Sequence, residues 1–433
     1  NNIGQASRNM LNTLGRLLFS TRLMAVLFLV MAVAMAFGTF IESWYSTETA
    51  RIWIYNAWWF EVIMAFFVIN FVGNIGRYRL LRWEKWPVLL LHLSWILIIV
   101  GAFVTRYISY EGMMPIREGA TENVFYSDKT YLTVLVDGMK DGQPQRKALE
   151  DDLLVTEQAM QSNLPWKEDF DGTPFEVSYA GFIEGARMEV VPDENGTRFL
   201  KIVEAGGGSR HDHYLAEGQT VSIHNVLFSF NGRDEGAISI RESGDSLTIR
   251  SPFGGSFMRM ADQLRGAVVE DSLQKFQLRS LYTLADMQFV IPEPPIPGRY
   301  EATRIPEGER NDNDPDALLF RVISEVESVE KALIGGKGRF QYTDPFTLGG
   351  LTFRMAYGSK VRQLPFSIRL NDFIAEKYPG TEKAYSSFMS KITVQDDRPF
   401  DYDIYMNHVL DHRGFRFFQA SFDPDEKGTV LSV

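Results

Sequence analysis

The chain has 433 residues, with 44 Lys/Arg against 55 Asp/Glu and no cysteine. A formal net charge of −11 does not suit a nucleic-acid binder, which recruits basic surfaces, and the missing thiols exclude thiol exchange or a cysteine nucleophile in this chain. The length allows more than one folded unit, and a mean hydropathy of −0.13 averages two very different parts.

Residues 1–110 carry three long apolar runs: 22–41 (RLMAVLFLVMAVAMAFGTFI), 53–73 (WIYNAWWFEVIMAFFVINFVG) and 87–105 (PVLLLHLSWILIIVGAFVT). Each approaches the ~20 apolar residues that cross ~30 Å of hydrocarbon as a helix, so three transmembrane helices are expected. The first is read as retained, because its apolar core is too long for a signal peptide and no small-residue cleavage pattern follows it. Trp58 and Trp59 are expected in an interfacial aromatic belt.

Positive charge sets the expected orientation. Arg8, Arg16 and Arg22 precede the first helix, and Arg77, Arg79, Arg82 and Lys85 separate the second from the third; the loop between the first two has only Arg51 beside Glu42 and Glu48. The positive-inside rule puts the N-terminus and the basic loop in the cytoplasm, and residues 111–433 outside, in a bacterial periplasm. Nine Lys/Arg and four Asp/Glu in residues 1–110 leave the outer part strongly acidic, suited to steering a basic protein partner.

His92 is the one ionisable side chain in the third run. At ~1.5 Å per residue it lies ~7–8 Å from the cytoplasmic helix start, submerged but shallow. Such groups usually face a bundle interior. Three readings stand together: an interhelical hydrogen bond to Asn70, Asn74 or Glu61, a metal or haem ligand, and a proton relay.

The outer part reads mainly as strands. TYLTVLVDGMKDGQPQRKALEDDLLV has a turn with two Asp-Gly pairs, and FEVSYAGFIEGARMEVVPDENGTRFLKIVEA a second turn at Glu194-Asn195-Gly196. Further strands are expected at 220–230, 237–241, 247–250, 318–326 and 351–356. Residues 257–284 have the composition of one or two short helices, and 291–317 that of a charged, Pro-rich exposed loop.

The remaining polar groups have plain structural readings. His211, Asp212 and His213 follow Gly206-Gly207-Gly208; on a strand the histidines would share a face, as a metal site needs, but no further ligand is evident and an exposed loop is expected. His224 is expected on a surface or edge strand. His408 and His412 have helical spacing, but Gly414 and the aromatic alternation after it favour a turn entering a strand, with polar contacts for both. The GGKG at 335–338 lacks the Walker spacing and is read as a turn. Asp151-Asp152 and Asp396-Asp397 are read as solvated turn ends.

The C-terminal MNHVLDHRGFRFFQASFDPDEKGTVLSV, with LPFSIRLNDFIAEKYPGTEKAYSSFMSKITV before it, YISYEGMMPIREG after the third helix and LHLSW around His92, resembles the ResB (CcsB) family of cytochrome c maturation proteins. Gly414, Gln419, Asp423, Pro424 and Gly428 carry most of the likeness. The resemblance implies an integral membrane helical anchor with a large, mainly β periplasmic domain, and a fourth helix expected beyond Val433. It implies a System II complex in which haem b crosses the membrane for attachment to apocytochrome c. His92 matches the family's transmembrane axial haem ligand, with a second ligand from a CcsA-type protein or fused half and thiol reductants acting alongside. Arg77, Arg79, Arg82 and Lys85 are then candidate propionate contacts. No catalytic residue is assigned here, since the tryptophan-rich motif of the haem lyase belongs to CcsA. A membrane-tethered scaffold or receptor without haem is the alternative.

Overall fold

The structure is a computed structural model, and it describes residues 13–206, 209–232, 235–311, 313–381 and 384–433. Arg8, counted above among the orienting charges, lies outside these residues, as do Gly207 and Gly208. Among the described residues three helices are long and apolar enough to cross a membrane: Thr21–Trp44, Trp58–Arg77 and Trp86–Tyr107. At 1.5 Å per residue their 24, 20 and 22 residues span ~30 to ~36 Å. The first starts where Ser20 accepts a bond from the Arg22 amide, and the third where Pro87 supplies the fixed φ of a first turn.

The second helix begins five residues later than the apolar run suggests. Thr47–Ala50 is one helical turn, and Arg51–Tyr55 widens into a π-turn closed by the Asn56 amide on the Arg51 carbonyl at 2.7 Å. Arg106 then takes the carbonyls of Tyr55 and Asn56, both at 2.9 Å. Those carbonyls leave the helical ladder, so the long helix restarts at Trp58. Trp58 is exposed at that end with Trp44 and Trp53, while Trp83 and Trp86 mark the other end. Exposed aromatic residues at helix ends are where interfacial belts form.

Polar side chains tie the bundle together. Asn70, fully buried in the second helix, donates to the carbonyls of Leu18 at 2.6 Å and Ser20 at 3.0 Å, and accepts from Asn74 at 2.8 Å. Glu61 pairs with Arg106 at 2.6 Å, joining the second helix to the third.

The chain divides into two compact units, one of residues 1–185 with 308–433 and one of residues 186–307. In the first, among the described residues, a ten-stranded sheet is built on the antiparallel pair Thr121–Lys140 and Leu351–Lys377. The second of these strands is far longer than the expected 351–356 because it serves two cores. Phe353 and Met355 face Val134, Val136, Phe175 and Phe320 in one core, whereas Ile368 and Leu370 face Met114, Ile116, Phe417 and Leu431 in the other. Between them the pairing skips residues 364–367, where the strand bends. The expected hairpin turn is present at Asp141-Gly142, whose φ values of +52° and +73° match a type I′ turn.

The last strand, Gly428–Ser432, pairs with Gly112–Arg117, the first strand after the third helix. Gly112 and Val433 exchange backbone bonds of 3.0 and 2.9 Å. Arg117 holds Asp423 and Asp425, each at 2.6 Å, and its hydrogen bond helps pull the Asp425 carboxyl down to about 2. A Cβ at Gly428 would collide with the Asp423 carboxylate, and Gln419 bonds the buried Thr429 at 2.8 Å. The phrase that carries the ResB likeness is therefore a strand-pairing device.

The second unit is a five-stranded and a seven-stranded sheet around Leu200, Ile202, Phe228, Phe230, Ile240, Tyr282 and Phe289. Four sequence expectations are corrected here. Residues 257–284 hold no helix: Gly255–Arg259 pairs with Arg265–Val268 and Ser280–Leu284, and left-handed φ at Gln263, Asp271 and Arg279 breaks any helical run. Within 291–317, Ile296–Arg304 is a strand rather than loop. It ends its sheet, so Pro297 removes a donor the ladder does not need. Glu194-Asn195-Gly196 is not a hairpin turn but part of a bulge in Ala186–Gly206, since Arg198 pairs with Pro297 and Pro192 with Gly298. His211 and His213 lie on the strand Ser209–Ala216, not in a loop.

Two substitutions test this packing. Gly335→Ala sets a methyl against the Tyr357 carbonyl, where the neighbour is rigid backbone, and is expected to cost ~1–3 kcal/mol in urea unfolding at unchanged m-value. A wild-type midpoint would mean that Gly335 and Tyr357 are not in contact. Asn70→Leu strips the Leu18 and Ser20 carbonyls of a donor and is expected to lower helix-bundle stability by ~1–3 kcal/mol in a detergent denaturation series, with no change counting against the bond.

Candidate functional site

The third helix uses one narrow stripe for packing and leaves the rest of its surface apolar and exposed. Leu89, His92, Trp95, Ile96 and Ile99 form the more covered face, at spacings of three, four and seven residues. Trp95, Ile96 and Ile99 pack on the buried Leu27, Phe67 and Phe71 of the other helices. His92 is thus on the bundle side rather than the lipid side, as an intramembrane imidazole should be.

An aromatic wall flanks it. The Phe71 ring meets the imidazole edge to face at 5.5 Å, and Trp95 lies nearly parallel to Phe71 at 6.2 Å. Phe28 closes on Trp95 at 5.6 Å. Sequence reasoning missed these neighbours, although the i, i+3 spacing of His92 and Trp95 and the i, i+4 spacing of Phe67 and Phe71 signal shared faces.

None of the expected interhelical partners reaches His92. Asn70 serves the carbonyls of Leu18 and Ser20, Asn74 bonds Asn70, and Glu61 is held by Arg106 and Tyr107 at the far end of the third helix. Instead His92 Nδ1 lies 2.9 Å from the carbonyl of Val88, one turn back on its own helix. A carbonyl only accepts, so this bond keeps the proton on Nδ1. Nε2 then carries the lone pair of the neutral ring and has no hydrogen-bond partner among the described residues. A ligating histidine is commonly oriented in this way, with one nitrogen donating to a carbonyl and the other turned to the metal.

The basic residues cluster at the same helix end, ~9 Å along the axis for the six residues from Trp86 to His92. Arg77 is committed to the Phe19 carbonyl at 2.9 Å and the Arg16 carbonyl at 3.4 Å, and Lys85 to the Tyr78 carbonyl at 2.7 Å. Arg79, at a left-handed φ of +48°, and Arg82 are exposed, and their guanidiniums have no hydrogen bond or ion pair among the described residues.

Elsewhere the titratable groups are occupied structurally. His412 bonds Asp396 at 2.7 Å, and His408 donates to the Asp403 carbonyl at 2.6 Å while stacked between Tyr402 and Tyr405. Both make polar contacts, as expected, His408 at the turn around Asn407 and His412 beside the turn at Arg413-Gly414. Asp396, read from sequence as solvated, is only 10% exposed; His412 and Arg413 hold its carboxyl below the usual range. The turn at 335–338 lends Lys337 to Glu48 at 3.2 Å and Asp128 at 3.5 Å. Among the described residues no group of three or more His, Asp or Glu is arranged to hold a metal ion.

Residues 347–433 match the ResB-like family, a span from just before the long bent strand to the closing strand that Arg117 fastens. The chain is also similar to Protein NrfI of Wolinella succinogenes, 23% identical over 420 residues, which cover 96% of this chain and 32% of that protein. It spans about a third of the length of this relative. The family match thus falls on the closing strands, and the likeness to NrfI runs along nearly all of this chain.

Proposed function

We propose that the chain is a membrane subunit of a cytochrome c maturation system and that His92 is an axial ligand for haem b in transit. The ResB-like match over residues 347–433 and the likeness to NrfI support the general role. The observation that carries the specific one is the orientation of His92, whose Nδ1–H is taken by Val88 while Nε2 stays open on a half-exposed ring beside Phe71.

The residues fit a haem chemically. Bound haem would supply an iron that accepts two imidazoles, which leaves no open position for oxygen chemistry. His92 gives one nitrogen, and a CcsA-type protein or fused half gives the other. Phe71 and Trp95 offer an apolar flank, and Arg79 and Arg82 are the uncommitted guanidiniums that can meet propionates. Arg77 is the weaker candidate, because carbonyls already occupy it.

The basic loop lies on the cytoplasmic side in this reading, so haem meets His92 from within, and the β units lie in the periplasm with the apocytochrome. Their acidic balance favours a basic client. Thiol reductants act from other chains, because this one has no cysteine.

The test is spectroscopic. The wild-type protein, purified with its CcsA-type partner, is expected to show low-spin haem b absorption. His92→Gly should bind haem at least about tenfold more weakly, beyond the lower range for losing a ligand's supporting partner, and added imidazole should restore the spectrum. An unchanged spectrum and haem content in His92→Gly would favour the scaffold reading. Arg79→Gln with Arg82→Gln is expected to reduce haem retention while leaving the band positions in place, and equal retention would remove both from the site.

A further inference from the structure

Outside the membrane helices, one carboxylate sits among three imidazoles at the rim of the second unit's core. Glu204 is 2% exposed, on the strand Ala186–Gly206, directly opposite His211; Ile202 is opposite His213 on the same ladder. Residues 200, 202 and 204 share one face of that strand, and 211, 213 and 215 continue it across the ladder. Leu200, Ile202 and Leu215 fill the core, so Glu204, His211 and His213 form the polar end of a buried face.

His224 arrives from the five-stranded sheet. The strand expected at 220–230 is in fact Thr220–Ile223 and Val226–Phe230, joined by a turn in which His224 and Asn225 have φ of +46° and +65°. That turn brings His224 Nε2 to 2.8 Å from Glu204 Oε1. His213 Nε2 stands 3.7 Å from the same oxygen, buried and without a hydrogen-bond partner. On the other side of Glu204 the ladder neighbour is Phe289, which adds no charge. Lys201, Arg210 and Asp212 pair with one another on the opposite face of the ribbon.

We propose that the Glu204–His224 bond is an acid-released latch, closing the 224–225 turn onto the ribbon of strands Ala186–Gly206 and Ser209–Ala216 at neutral pH and freeing it when a second histidine beside it becomes charged. One carboxylate neutralises one imidazolium. When His224 carries that charge the latch is a salt bridge, but a further proton on His213 meets the same Glu204 carboxylate and is repelled by the imidazolium already there.

The surroundings of His213 and Glu204 support this. Burial pushes His213 below its ordinary value of about 6.5, and the attraction of Glu204 only partly offsets it. Neutral His213 therefore contributes stability that is fully present above that ordinary value and is lost as pH falls through the lower folded one. Burial pushes Glu204 up, but the hydrogen bond from His224 and the three imidazoles together hold it below its usual range. The carboxylate thus stays charged at pH 5.5, and a proton taken up by His213 adds only positive charge to this face. Two imidazoles share a single oxygen and no three donors surround one point, so a proton rather than a metal ion is the ligand that switches the cluster.

The test is hydrogen exchange by mass spectrometry on the full chain in lipid nanodiscs at pH 7.5 and 5.5, corrected for intrinsic exchange rates. Peptides covering 209–216 and 220–230 are expected to lose about tenfold or more protection at pH 5.5, with peptides from the core strands at 280–290 unchanged. His213→Gln should keep its protection at both pH values, and His224→Gln should already be loose over 220–230 at pH 7.5. Wild-type protection that does not depend on pH, or an acid response retained in full by His213→Gln, overturns the proposal. So does stoichiometric Zn²⁺ binding at pH 7.5 that disappears in His224→Gln.

Discussion

The bond between His92 Nδ1–H and the Val88 carbonyl is the interaction on which the functional reading depends. In hydrocarbon an imidazole has to satisfy its polar atoms within the protein, and each available partner imposes a different chemistry. A bond to Asn70 or Glu61 would have made His92 a rivet between helices. The bond to its own helix instead settles the tautomer, holds the ring on the packed stripe and leaves the second nitrogen available. Asn70 and Arg106 do the riveting, on the carbonyls of Leu18, Ser20, Tyr55 and Asn56. Because those residues carry the helix contacts, the histidine is spared for another use.

The β part of the first unit is anchored close to that bundle. Thr49, in the turn after the first helix, bonds Thr156 at 3.0 Å in a buried contact, and Lys337 bridges Glu48 and Asp128. The strand Gly112–Arg117 leaves the third helix after only a few residues and is fastened to the closing strand by Arg117. Residues with the strongest family likeness therefore act through packing. Gly428 makes room for Asp423, Gln419 satisfies Thr429, and Gly414 turns the chain with a φ of +82°. The likeness to the ResB-like family lies in the way this sheet closes, while the candidate chemistry lies in the membrane helices.

In the second unit a different economy operates. Its sheets meet at a rim where a buried carboxylate is held by histidines rather than by arginine, although Arg198–Glu242 at 2.5 Å shows that arginine pairs are available in the same unit. Arginine would make such a contact indifferent to pH, whereas imidazole makes it conditional. The choice of residue type, more than the geometry, turns a packing contact into a sensor.

The three apolar runs and the Asp141-Gly142 hairpin were legible in the sequence, because each is a local pattern whose physics involves few other residues. His92 was legible as a candidate for the same reason, since a single imidazole in an apolar run stands out. Its tautomer, its aromatic flank and the commitment of Arg77 to backbone carbonyls were decided by tertiary packing. So were the strand at 296–304, the strands at 257–284 and the buried Glu204. Edge pairing excuses a proline, left-handed residues cancel helix propensity, and Glu204 meets His224 only when strands of two different sheets come together. Local order was written in the sequence itself; which polar atom answers which was left to the fold, because a hydrogen bond depends on distance in space and not along the chain.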